Sequence, residues 1–180
     1  MCNEKDIIAG CLRKEPRAQQ ELYKAFAPKM YGVCLRYAKN EMEADDILQE
    51  GFIKVFGYLE SYRNEGSLEG WIRRTMVNTA INYYRKNLKH ANQLDLSGLE
   101  IVNDNDISVV DKLSADEIIG LIQDLPEVYR VTFNMYVIEG YTHKKIAEIL
   151  DISENTSKSQ LLRARKLLKK RLSKLHQAIL

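Results

Sequence analysis

The C-terminal part of the chain carries the residues whose types and spacing point most directly to a chemistry. From Asn155 onwards the sequence contains eight lysines or arginines and no acidic residue. They are Lys158, Arg163, Arg165, Lys166, Lys169, Lys170, Arg171 and Lys174. Leucine and alanine recur among them at steps of three and four, which predicts an amphipathic helix with a basic side. Such a helix suits a nucleic-acid duplex, where a phosphate charge recurs about every 1.7 Å. A basic side that is simply solvated is the alternative.

A shorter helix and a tight turn precede the basic helix. Thr142 is placed to cap the shorter helix, Asp151 begins the turn, and Ser153 is placed to cap the basic helix. The pattern predicts a helix-turn-helix, whose second helix enters the major groove of DNA and reads base edges with its first residues.

The first half of the chain has helical periodicity and no sustained alternation of the kind that strands show. Pro16 and Pro28 are each placed to start a helix, and Asn40 with Glu43 has the form of a capping box. Cys34 lies among apolar neighbours and is expected in the core. We predict an all-α fold of two helical domains joined by an acidic linker, with a C-terminal helix-turn-helix.

The strongest periodicity lies in residues 44–59, where apolar residues recur at steps of three and four. The opposite side of this predicted helix carries Asp45, Asp46, Gln49 and Glu50. From the residues alone, a solvated helix face is the simplest interpretation. Docking onto a basic partner is the functional alternative.

A polar break in residues 61–67 contains Tyr62, Arg63 and Asn64. Ser67 is placed to cap a helix that runs to about Lys89. We expect the side chain of Trp71 in the core of this helix, because it lies at helical spacing from other apolar residues. The helix leaves a polar set for other surfaces: Arg73, Arg74, Asn78, Arg85 and Lys86.

Residues 90–113 lack a sustained helical period and are rich in Asn, Asp and Ser. The segment is longer than the loops of compact domains usually are, which argues for two domains. We predict domains at residues 1–89 and 114–180, with 90–113 as an acidic linker. Its acidity can serve solubility alone, or it can let the linker lie in a basic channel of a partner.

Several classes of protein are disfavoured by what the sequence lacks. No run approaches the roughly 20 apolar residues of a membrane span, and the first residues lack the blocks of a secretory signal. We therefore expect a cytoplasmic protein without membrane insertion. The three cysteines and three histidines form no metal-ligand pattern. No glycine-rich phosphate loop occurs either, so we expect no cofactor and no enzyme.

Blocks of residues along the whole chain resemble one family, the extracytoplasmic-function (ECF) sigma factors of bacterial RNA polymerase. Residues 21–31 and the run ADDILQEGF at 44–52 are similar to the start and middle of the sigma-2 domain of that family. Residues 66–68, 71–72 and 78 are similar to its promoter-melting part. Similarity to the sigma-4 domain of the family lies in residues 125–126, 130, 139–141, 146–150, 158–159 and 163–165. The resemblance covers nearly the whole chain in order.

The resemblance implies roles and partners for these residues. The acidic face would dock on the clamp helices of the β′ subunit of core RNA polymerase, and the second domain would contact the β flap. The minus-10 element of promoter DNA would be held by residues 62–64, 73–74, 78 and 85–86. Within this set, a base would be surrounded by Tyr62, Asn64 and Asn78. The helix-turn-helix would bind the minus-35 element. Its bases would be read by Asn155, Lys158, Ser159 and Gln160, and its backbone would be contacted by Arg163, Lys166 and Lys170. Thr156 belongs to the same DNA-binding set. The acidic linker would run toward the active-site cleft, and a membrane-bound anti-sigma factor is a further expected partner.

Three residues depart from the pattern of the family. Asp151 stands where many relatives have glycine, but aspartate tolerates left-handed backbone angles. Ser157 stands at a usually apolar position, which should weaken packing, and Gln160 stands where arginine is frequent. The alternative function is a stand-alone helix-turn-helix regulator, which would dimerise and bind a palindromic DNA site by itself.

Overall fold

The computed structural model describes residues 4–91 and 114–179, with the side chains of residues 4–87 and 114–173. All regular structure in these ranges is helical, so the all-α prediction is confirmed. The chain divides into two compact units, Met1–Tyr83 and Tyr84–Leu180. The predicted domain boundaries stay predictions, and residues 92–113 of the predicted linker lie outside the described residues. None of the described helices is both long and apolar enough to cross a membrane.

The first unit is built from packed helices. Helix α1 spans Glu4–Leu12, α2 spans Pro16–Tyr37 and α3 spans Glu41–Tyr58, followed by a 3₁₀ turn at Leu59–Ser61. Helix α4 spans Leu68–Ala91, so the division between the units falls within it. The largest fully buried side chains of this unit are Leu22, Met30, Ile47, Val55, Leu59, Leu68, Ile72 and Met76. Helical periodicity placed them inside because residues three and four apart share one side of a helix.

Cys34 lies in this core, as predicted. It is fully buried, and burial raises the pKa of its thiol to about 12. The side chain therefore stays a neutral thiol at any physiological pH and acts as a small apolar group.

The prediction that Pro28 starts a new helix was wrong. Helix α2 continues through Pro28 without interruption from Pro16. Proline has no amide hydrogen to donate, so it removes one backbone hydrogen bond inside a helix. Here Pro28, Lys24 and Ala25 are exposed. Water can therefore reach the carbonyl group of Lys24, which has no amide donor at position 28.

The starts of α3 and α4 are fixed by side-chain caps, whereas α2 starts at Pro16 without one. The Asn40 side chain accepts a hydrogen bond of 2.8 Å from the Glu43 amide, which confirms the predicted cap. The Glu43 carboxylate accepts from the Lys39 amide at 2.8 Å, one residue before the cap. The Ser67 hydroxyl accepts from the Gly70 amide at 3.1 Å and caps α4, also as predicted.

The second unit contains four further α-helices. Helix α5 spans Ala115–Gln123, α6 spans Glu127–Phe133, α7 spans His143–Leu150 and α8 spans Glu154–Ile179. Its buried side chains include Leu125, Tyr129, Val131, Met135, Ile146, Leu161 and Ala164. A capping box at Ser114 and Glu117 begins α5.

The buried side chain of Arg130 closes the turn between α5 and α6. Its guanidinium donates to the carbonyl oxygens of Gln123, at 2.8 Å, and Leu125, at 3.0 Å. Because buried carbonyl groups cost free energy when they lack a donor, this arginine stabilises the turn.

A π-helical turn at Asn134–Ile138 follows α6. The buried Asn134 side chain donates to the Arg130 carbonyl at 2.8 Å, and such bonds compete with regular backbone pairing. Gly140 then has a φ of 73°, in the left-handed region that glycine adopts readily.

Candidate functional site

The helix-turn-helix forms as predicted from α7 and α8. The Thr142 hydroxyl accepts from the Lys145 amide at 3.2 Å and caps α7. Asp151 adopts the left-handed conformation, with φ 56° and ψ 50°, so aspartate does replace glycine in this turn. The Ser153 hydroxyl accepts from the Thr156 amide at 2.9 Å and caps α8.

A polar contact joins α7 to α8 inside this motif. Ser157 is fully buried, and its hydroxyl lies 2.9 Å from Nδ1 of His143. The His143 ring stacks on Tyr136, with ring centroids 4.3 Å apart. The hydrogen bond explains how a polar residue is accommodated at position 157. Burial, followed by the charge of Lys158, lowers the pKa of His143.

The exposed side of α8 brings together most of the predicted DNA-binding residues. Asn155, Lys158 and Ser159 are exposed, and Lys166 is half-buried on the same side. Lys158 and Ser159 lie three and four residues after Asn155, and Lys166 lies seven residues after Ser159, so all four lie in one stripe along the helix. Thr156 is half-buried, and its hydroxyl lies 2.8 Å from that of Ser153 in the cap.

Gln160 and Arg163 lie at the edge of this stripe and contact α6. The Gln160 side-chain oxygen accepts a hydrogen bond of 2.7 Å from the buried Thr132 hydroxyl. The Arg163 guanidinium donates to the Tyr129 hydroxyl at 3.3 Å. Both side chains are half-buried, so each has a structural contact besides its predicted role on DNA.

Leu162 is a residue that sequence reasoning missed. Its side chain is 61% exposed, in the middle of the basic stripe of α8. The available signal was its position, four residues after Lys158 and four before Lys166.

The acidic face of α3 is exposed where the sequence placed it. Asp45, Asp46 and Gln49 are exposed, while Glu50 is half-buried and binds Lys54 at 2.7 Å. Two large apolar side chains, Met42 and Ile53, are 76% and 72% exposed on the same side of the helix. Sequence reasoning missed them, although Met42 lies four residues before Asp46 and Ile53 four residues after Gln49. The face is therefore acidic in its centre and apolar at both ends.

The loop between α3 and α4 folds back on itself. The Tyr62 hydroxyl donates to the Gly66 carbonyl at 2.8 Å, and both Asn64 and Gly66 have positive φ. Trp71 is half-exposed rather than buried in the core as we expected, and its ring centroid lies 5.8 Å from that of Tyr62. The two rings leave an aromatic surface beside the exposed Arg63 and Asn64.

Helix α4 presents the remaining predicted residues. Arg74 and Asn78 are exposed and lie four residues apart, on one side of the helix, whereas Arg73 is half-buried. Arg85 and Lys86 are exposed further along α4. Within the ranges whose side chains are described, no group of three His, Cys, Asp or Glu residues could hold a metal ion.

Two family models match the chain in the regions that carry these surfaces. The model of Sigma-70 region 2 matches residues 22–89, and the model of Sigma-70 region 4 matches residues 115–168. The ECF RNA polymerase sigma-E factor of Haemophilus influenzae is 27% identical over 180 residues, covering 94% of this chain and 95% of that protein. The chain belongs to the ECF sigma factors. It therefore acts as an RNA polymerase sigma factor.

A second relative and a solved structure are also similar to this sigma factor over most of its length. The ECF RNA polymerase sigma factor SigM of Bacillus subtilis is 28% identical over 150 residues, covering 83% of this chain and 91% of that protein. Among solved structures, the sigma factor RpoE of Bartonella quintana, in complex with the anti-sigma factor NepR, matches 86% of this chain and 96% of its own. Its TM-score is 0.49 and its sequence identity 19%. In this sigma factor, the region 2 match contains α3, the loop and α4, and the region 4 match contains α7 and the first part of α8.

Proposed function

We propose that this sigma factor binds core RNA polymerase through α3 and contacts two elements of one promoter with its two units. The face of α3 docks on the β′ clamp helices, the loop at 62–67 with α4 holds the minus-10 element, and α8 reads the minus-35 element. The sigma factor has no catalytic site of its own in this proposal. It selects the promoter and promotes melting, and the polymerase performs the chemistry.

The observation that carries the proposal is the exposed basic stripe of α8, held to α7 by the Asp151 turn and the Ser157–His143 contact. Asn155, Thr156, Lys158, Ser159 and Gln160 are the proposed base readers. Thr132 occupies one lone pair of the Gln160 side-chain oxygen and leaves both amide hydrogens available, and these suit acceptor groups such as those of guanine. Arg163 and Lys166 contact phosphates.

The aromatic surface beside the loop supports binding of the minus-10 element. A base removed from a duplex is held by stacking and by polar groups at its edge. Tyr62 and Trp71 offer ring faces, while Asn64 and Asn78 offer amide groups. The proposed phosphate contacts of this element are Arg63, Arg73, Arg74, Arg85 and Lys86.

The α3 face combines the two features expected of a docking surface. The exposed carboxylates Asp45 and Asp46 steer a basic partner and set its register, together with Gln49 and Glu50. Met42 and Ile53 supply the apolar area that fixes affinity. Contact of the second unit with the β flap, and binding of a membrane-bound anti-sigma factor, stay predictions.

Two variants separate the proposed surfaces experimentally. Asp46→Lys should weaken binding of the purified sigma factor to core polymerase, measured by fluorescence anisotropy, while circular dichroism stays helical. Asp6→Lys makes the same charge change on the exposed side of α1 and should leave core binding unchanged. Lys158→Ala should keep core binding and weaken promoter binding by the holoenzyme. Unchanged core affinity of Asp46→Lys would refute the docking assignment.

A stand-alone regulator behaves differently in the same assays. It would bind a palindromic duplex as a dimer without polymerase, and Asp46→Lys would have no effect on its function. We expect instead a chain that needs core polymerase to bind promoter DNA tightly.

A further inference from the structure

The exposed leucine in the basic stripe of α8 has no explanation in the roles assigned so far. Leu162 is 61% exposed, whereas the neighbouring Leu161 and Ala164 are buried in the core of the second unit. A single exposed leucine on a protein surface needs no explanation. The position of this one is unusual, because it lies at the centre of the face that carries the proposed base readers.

The neighbours of Leu162 on this face are polar or cationic. Lys158 and Ser159 lie one turn before it, and Arg165 and Lys166 lie one turn after it. At a rise of about 1.5 Å per residue, these groups lie within roughly 6 Å of it along the helix axis. A protein partner would require a broader apolar area. The charges around Leu162 instead suit phosphates that line both sides of a groove.

We propose that Leu162 contacts the C5-methyl group of a thymine in the minus-35 element. The thymine methyl group is the apolar group that the four bases present in the major groove. Packing against it removes apolar surface of both partners from water. A cytosine at this place carries only a hydrogen atom at C5, so the apolar contact with Leu162 would be lost. Leu162 would therefore select thymine without a hydrogen bond.

This inference rests on the proposed function, because it requires α8 to lie in the major groove. Its size follows from the area involved. Loss of one buried methyl group corresponds to a decrease in affinity of about three- to fourfold. Leu162 therefore sets how strongly thymine is preferred at one position of the minus-35 element. It does not determine whether the promoter is bound.

The test uses the holoenzyme and a promoter library randomised in the minus-35 element. Elements selected by the wild-type holoenzyme are resynthesised with each thymine replaced, one at a time, by deoxyuridine, which lacks only the methyl group. At one position the wild type should lose about three- to fourfold in affinity. Leu162→Ala should show a similar loss on the thymine promoter and no further loss with deoxyuridine at that position. Val137→Ala, which truncates an exposed residue outside α8, should behave as wild type.

The possible outcomes separate the inference from the function it rests on. If deoxyuridine lowers the affinity of Leu162→Ala as much as that of the wild type at every position, Leu162 does not contact a thymine methyl group. The same conclusion follows if the selected elements contain no thymine. If Leu162→Ala instead weakens binding to core polymerase, its partner is a protein and the inference is wrong. A Lys158→Ala holoenzyme that retains full affinity for the selected elements would contradict the placement of α8 itself.

Discussion

A contact between the half-buried His143 and the fully buried Ser157 joins α7 to α8. The charges of Lys158 and Arg165 both contribute to lowering the pKa of His143. The neutral ring suits this setting, because a second positive charge next to these cations would be repelled. The protonation state of one residue is thereby linked to the stability of the helix-turn-helix.

The stability of the protein should accordingly depend on pH through His143. Burial and the neighbouring cations lower its pKa below the 6.5 of an unperturbed histidine. The unfolded chain therefore binds a proton more readily than the folded one, and the stabilisation by the neutral ring is complete above pH 6.5. It is lost as the pH falls through the lowered pKa of the folded state. We expect the melting temperature to fall between pH 7.5 and 5.5, and to fall less in His143→Gln. An equal fall in both proteins would contradict this assignment.

Gln160 can be tested separately for its two contacts. Thr132→Val and Gln160→Leu each remove the Thr132–Gln160 hydrogen bond and should each lower the free energy of unfolding by about 1 kcal/mol. Only Gln160→Leu also removes the amide that is proposed to read a base. It should change minus-35 preference by about 1–3 kcal/mol at the affected base pair, while Thr132→Val should keep the wild-type preference. Identical base preferences in the two variants would remove Gln160 from the readers.

At the scale of elements, α3 connects packing to docking. One side of the helix is buried against its neighbours, and the other bears the acidic and apolar face. Its two glycines occupy opposite environments. A Cβ atom at Gly51 would overlap the side chain of the fully buried Met76 on α4, whereas one at Gly57 would meet no atom within 4 Å.

Alanine substitutions at these glycines should have opposite effects. Gly51→Ala forces Met76 from a filled core and should destabilise the protein by about 1–3 kcal/mol. Gly57→Ala adds helix propensity at no steric cost and should stabilise it by up to about 1 kcal/mol. Urea denaturation of the two variants measures both changes. A Gly51→Ala protein as stable as Gly57→Ala would show that α3 and α4 do not pack as closely as described.

The helix starts could be predicted from the sequence because capping is local. Asn40, Ser67, Thr142 and Ser153 each satisfy an amide three residues away, so residue type and spacing are sufficient. Residue spacing does not show that α2 continues through Pro28 or that a π-helical turn forms at Asn134, because both depend on the local environment. Solvent access permits the continuation of α2, and a buried side-chain hydrogen bond accompanies the π-helical turn.

In the candidate sites, too, some exposed residues could be predicted from the sequence and others depend on the packing around them. Charged residues of α3 and α8 could be assigned to surfaces because charge itself indicates exposure. Met42, Ile53 and Leu162 could not, because an apolar residue is exposed only where no neighbouring element covers it. Trp71 was expected in the core for the same reason, since its spacing does not reveal that it lies at the edge beside Tyr62.

At the scale of the whole molecule, the exposed apolar ends of the α3 face require a partner that covers them. Met42→Ser with Ile53→Ser should weaken core polymerase binding at least tenfold, because exposed apolar anchors of this kind dominate interface energies. Tyr58→Ser is a control of similar exposure, 64%, on another side of α3. It should retain wild-type affinity in the same anisotropy assay. Equal losses in the control and the double variant would indicate a general effect on folding.

Both units should act on one promoter while the chain is bound to polymerase. Run-off transcription on genomic fragments measures this, with purified core polymerase and either the wild-type chain, Asp46→Lys, Lys158→Ala or no addition. We predict discrete transcripts that are strong with the wild-type chain, strongly reduced with either variant and absent with no addition. Transcripts of equal intensity with and without the chain, or tight binding of the same fragments by the chain alone, would contradict the account.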